Sequence, residues 1–223
     1  MSTSVVRALI AKDLFLARWM LGAAIVSGLV SLWICTTSKM GFNLGSITFI
    51  TTLIALGVMV AMYGVFEERK NRSYLFILSL PLSGRDYVKA KIIGGLLSFT
   101  IPWAVITAAA LFVVLESPNV PHGIAPFALL ICMHSLVNTT LLIAATLLIK
   151  SEGLVAGCIV LTNVLVSVFL FTVASLPSIN RNMGAQTAVW DDTVFTVLAV
   201  QLIAICIAIA VPLSVYSRKR DLV

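Results

Sequence analysis

Apolar residues in this chain come in long blocks rather than in alternation. Six blocks, at about residues 19–37, 44–66, 92–115, 126–149, 153–176 and 193–216, reach the roughly 20 residues a helix needs to cross a hydrocarbon core of about 30 Å. Barrel strands are excluded, because the blocks are too long and too uniformly apolar, and lipid offers an unpaired backbone no partners. The longest polar stretch between blocks is 67–91, too short for a soluble domain. The pattern therefore predicts an all-α membrane protein with six transmembrane helices, and a single transmembrane domain over 1–223.

Composition sharpens this reading. Apolar residues make up 60% of the 223 positions and charged ones only 11%, against an ordinary soluble content of about 45–50% apolar. The first block reads as a retained span, since "WICTTSKM" at its end lacks a small-x-small cleavage site. Of the 15 Lys and Arg, 13 fall before the first block, between the second and third, at Lys150, or after the sixth; Lys39 and Arg181 are the exceptions. By the positive-inside rule both termini are cytoplasmic. The net charge of +6 is then a topogenic asymmetry and gives no ground for nucleic-acid binding.

The leader, residues 1–18, can form a helix with Val6, Leu9, Ile10 and Leu14 on one side. It reads as a helix in the cytoplasmic interface with membrane lipid, anchored by Arg18 and Trp19. Near the other face, "LPSINRNMGAQTAVWDDT" is a short external loop with Trp190 at headgroup depth. Cys35, Cys132, Cys158 and Cys206 lie in four different blocks with no C-x-x-C spacing, and read as small buried hydrophobes. No phosphate loop, dinucleotide fingerprint, H-E-x-x-H or G-x-S-x-G occurs, so no catalytic or metal-binding residue is assigned.

The most informative stretch is "EERKNRSYLFILSLPLSGRDYVKAK", residues 67–91. Its first charges are ordinary for the cytoplasmic end of a span. "SYLFILSL" is less ordinary: one or two helical turns, apolar nearly all round, too short to cross and set among charges. Pro81 ends it by removing an N–H and disfavouring helical geometry at Leu80. Ser83 then caps a new helix, with Asp86 three residues on as in a capping box. The segment predicts a short helix, a break, and a capped helix running into the third span. Tyr74, Leu75, Ile77 and Leu78 are left to be covered by headgroups or by a partner's groove.

A second span ending in acidic and basic residues, followed by "LSLPLSGRDYVKAKII", resembles the permease subunits of bacterial ABC-type-2 exporters. A stretch close to "LSLPVSR", then an aliphatic position and a lysine, links the same two spans there. The likeness is sharpest over 67–95; the six-span plan, the basic leader and "SRKRDL" extend it along the chain. Gly84 is a departure, standing where the family pattern often continues directly to a basic residue, and it shifts the register of Arg85 by one.

The resemblance implies that 67–91 holds a coupling helix that docks into a separate ATP-binding-cassette subunit. Arg69, Lys70, Asn71, Tyr74, Leu75 and Leu78 would make the contacts, with Pro81, Ser83 and Arg85 shaping the exit. It further implies a bacterial cytoplasmic membrane and a second permease copy or a related permease. This chain would need no cofactor, ATP and Mg being bound by the partner.

Polar residues also interrupt the spans. His134 and Asn138 share a face of the fourth block at i and i+4, and Asn163 and Gln201 could meet them. Either they pair helices or they line a substrate path. Pro102, with Gly94 and Gly95 before it, suggests a bend or close packing in the third span.

A rival reading is an intramembrane protease resembling CAAX-processing enzymes, because "EERKNR" fits E-E-x-x-x-R and "HSLVN" fits H-x-x-x-N. Glu67 or Glu68 would activate water. Against it, F-x-x-x-H is missing: Pro118 stands four residues before His122 and Leu130 four before His134. The glutamates would also lie at the cytoplasmic mouth while His134 lies about 12 Å deep from the other side.

Overall fold

The computed structural model describes residues 2–66, 68, 83–118 and 120–218. Six long helices among them carry the six expected spans. In chain order these are α1 (Ser2–Thr37) and α2 (Lys39–Ala61), extended by a π turn over Met62–Phe66, then α3 (Gly84–Glu116) and α4 (Ala125–Leu148). α5 (Glu152–Ser175), the one-turn α6 (Pro177–Asn180) and α7 (Asp192–Arg218) complete the bundle. Among the described residues all regular structure is helical.

The leader is helical but is not a separate element. It continues into the first span as one 36-residue helix, about 54 Å long by helical rise and much longer than a hydrocarbon core of about 30 Å. No Pro or Gly interrupts the chain before Gly22, so nothing local breaks it at residue 18. Ser38 alone separates α1 from α2, and its hydroxyl accepts the Gly41 N–H at 2.9 Å, so the two helices form a tight antiparallel hairpin. Ser83 caps α3 as its sequence context predicts: its Oγ accepts the Asp86 N–H at 3.1 Å. The apolar turns before it, including Tyr74, Leu75, Leu78 and Pro81, lie outside the described residues.

α4 forms the centre of the bundle and packs on α2, α3, α5 and α7, while α1 lies against α2 and α3. Leu56, Val60, Ile92, Phe99, Leu142 and Leu147 build the main core between these helices. Small residues let the backbones approach, as membrane helix packing requires. A Cβ on Gly45 would fall 2.5 Å from the Ser31 carbonyl oxygen, and one on Gly57 would collide with the Thr139 hydroxyl. α5 and α7 are the least buried spans and present Val160, Val164, Phe171, Val200, Ile203 and Ile207 outward. Outward apolar surface of this kind suits lipid or another membrane helix. Cys35 and Cys132 are buried as expected, whereas Cys206 faces outward, because α7 packs along only part of its circumference.

Candidate functional site: a buried ion cluster beside the 67–91 segment

Residues 69–82 lie outside the described residues, and with them the predicted contacts Arg69, Lys70 and Asn71, as well as those already named. What the structure places are the flanks of the segment. Glu68 follows the π turn that closes α2, a rare helical form frequent at functional sites. On the other flank Ser83 is exposed at the cap of α3 and Arg85 is exposed on its first turn.

Between these flanks is a cluster that sequence reasoning does not identify. Lys91, on α3, has a fully buried side chain; its Nζ lies 2.9 Å from Asp13 Oδ2 on α1 and 2.7 Å from Glu68 Oε1. Lys12 reaches the same Glu68 oxygen from α1. The Tyr87 hydroxyl, one turn before Lys91, donates to Glu68 Oε2 at 3.2 Å. Two lysines thus neutralise two carboxylates, and every charge is shared between helices. Leu9 and Ala90, with Val6 and Ile10, form the apolar wall beside them. Gly94 gives Asp13 its place: a Cβ there would stand 3.3 Å from Asp13 Oδ2.

Helix length explains how such charges are tolerated. Asp13 is 24 residues from the end of α1 and Lys91 25 residues from the end of α3, so each is about 36–38 Å from that end by helical rise. With those ends at one face of the bilayer, the cluster clears a core of about 30 Å and lies at headgroup level on the far side. The one sequence signal is Lys91 itself, a charge set where the apolar run of the third span begins.

The four intramembrane polar residues divide into two sets. Asn138 donates to Asn163 Oδ1 at 3.4 Å, and one turn away His134 stacks on Phe169 with ring centroids 3.8 Å apart; both contacts join α4 to α5. Gln201 instead joins α7 to α4, donating from Nε2 to the Leu130 carbonyl at 3.1 Å. The void beside His134 is about 10 Å³, room for a single water at most. A larger apolar cavity of about 200 Å³, lined by Leu32, Phe49, Ile50, Val113, Phe127 and Ile131 among others, includes none of the four. Asn138→Leu is expected to cost only about 0.6 kcal/mol, the average for an interhelical bond in a membrane, read as a small drop in the thermal unfolding midpoint in detergent.

The geometry gives the protease reading no support. Glu68 is engaged by Lys12, Lys91 and Tyr87 at one end of the bundle, while His134 lies against Phe169 in mid-span. Glu67 lies outside the described residues.

The sequence finds no significant match among curated proteins or solved structures. A family model does match, described as an ABC-2 family transporter protein, and it covers residues 8–217. That match takes in all six spans, the flanks of the 67–91 segment and the ion cluster, and on it the chain belongs to the ABC-2 transporter family as a membrane-spanning permease.

Proposed function

We propose that this chain is the permease subunit of an ATP-driven exporter, coupled to a separate ATP-binding-cassette subunit through residues 67–91. The single observation that carries the reading is a family match that runs almost the whole length of the chain. The segment itself supports it: a charged, proline-broken apolar stretch too short to cross, flanked by the α2 exit and the capped start of α3.

In this reading all of 1–223 is one permease domain in a bacterial cytoplasmic membrane, with both termini and the segment cytoplasmic. Tyr74, Leu75 and Leu78 fill an apolar groove of the ATPase, a helix-in-groove contact, with Arg69, Lys70 and Asn71 at its rim. ATP and Mg are held by the partner, and this chain makes and breaks no covalent bond. Closure of two ATPase subunits pushes the coupling helices and rocks two permease copies, or this chain and a related one, between inward and outward openings. His134, Asn138, Asn163 and Gln201 come to line the path only if α5 or α7 parts from α4.

The test is capture. A Leu78→Cys chain, purified in mild detergent from its native membrane and crosslinked at that thiol, is expected to carry an ATP-binding subunit identified by mass. Crosslinks to lipid alone would overturn the docking role of the segment.

A further inference from the structure

Both flanks of the 67–91 segment are tied to α1. Glu68 ends one flank and is held by Lys12 of α1 and by Tyr87 and Lys91 of α3; Lys91 is held in turn by Asp13 of α1. Nothing in the ABC-2 likeness assigns these residues a role, and the leader reads from sequence as an interfacial helix anchored by Arg18 and Trp19.

We propose that Lys91, Asp13 and Glu68 are positioning residues that make the α1 leader, the α2 exit and the start of α3 move as one body with the docking segment. The leader is then driven by the ATPase along with the segment. The physical reason is the burial of Lys91. Its side chain has no exposure to water, so a displacement that drew Glu68 or Asp13 away would strand a buried charge. Removing one partner of a buried pair is far costlier than losing an exposed one. The lateral fit adds to this: Leu9 packs with Ala90, and Gly94 brings the two helices close at Asp13. Because α1 continues unbroken to Thr37, a push on the leader reaches the opposite end of the bundle through one helix.

The inference rests on 67–91 being the docking segment, and its test separates the two. Leu9→Cys and Ala90→Cys are introduced into a full-length chain whose four native cysteines are alanine, and the transporter is purified with its ATPase. A disulfide or short thiol linker then locks leader to α3, and ATP hydrolysis by the complex is the readout. The locked chain is expected to hydrolyse ATP at the unlocked rate. Lys91→Met is expected to keep the ATPase bound but lose the permease-dependent part of hydrolysis, and the lock is expected to restore it; Lys91→Arg should keep it unaided.

Loss of hydrolysis on locking would overturn the proposal, because leader and α3 would then have to separate in each cycle. So would a Lys91→Met complex that hydrolyses ATP like the parent. If Lys91→Met does not accumulate, the lock on the Lys91-containing chain decides by itself. A preparation in which no ATPase accompanies the chain would instead sink the docking reading.

Discussion

Lys91→Met is expected to destabilise the folded chain by about 3–5 kcal/mol, the range for breaking a buried ion pair from one side. An exposed pair would be worth about 1 kcal/mol or less, so burial decides the magnitude. Lys91 is fully buried, and the side chains of Asp13 and Glu68 are only 12% and 9% exposed. Methionine replaces the stem of the lysine but leaves two carboxylates with Lys12 as their remaining cation, and Lys12 is partly in water. The lower end of the range is therefore expected. Asp13→Asn, Glu68→Gln and Lys91→Met combined should recover most of the loss, since no buried charge is then left unpaired. Thermal unfolding in detergent of the single and triple variants measures both effects. A single variant within about 1 kcal/mol of the parent would mean that water reaches the cluster.

Leu78→Asp is expected to weaken capture of the ATP-binding subunit on the order of 100-fold. A carboxylate placed where an apolar side chain fills a groove forfeits that contact and must be desolvated, a cost of about 3 kcal/mol by conservative transfer values. Leu78→Met, which keeps volume and polarity nearly constant, should leave capture unchanged. Titrating purified ATPase against the detergent-solubilised variants measures the shift. An undiminished affinity for Leu78→Asp would place the docking contact elsewhere and return the apolar turns to the headgroup layer. The two variants also act on different links of the chain. Leu78→Asp should spare stability, while Lys91→Met should spare capture in whatever fraction folds.

The number and positions of the spans and the cap at Ser83 are legible in the sequence. Each depends on neighbours within a turn or two: unbroken apolar length, and a serine hydroxyl three residues from the N–H it receives. The pairing of Asn138 with Asn163 is half legible, because i, i+4 spacing places His134 and Asn138 on one face. That the face meets α5 and not α7 is not legible, since Gln201 is by residue type an equally good partner. The leader reads as a separate helix, wrongly, because charge ends an apolar block without ending a helix; backbone hydrogen bonds run through Arg18 unbroken.

The ion cluster is hidden for a different reason. Asp13 and Lys91 are 78 residues apart, and every charge in the cluster has a sufficient local explanation as a cytoplasmic flank. Apolar length and charge asymmetry along the chain settle that it crosses a bilayer six times, because transfer free energy sums over local stretches and takes no account of which helix lies beside which. The close approach of α1 to α3 at Gly94, and the extension of both helices past the hydrocarbon at the same end, decide that Lys12, Asp13, Glu68 and Lys91 meet. Only packing could do so, since a buried charge chooses its partner by distance in space.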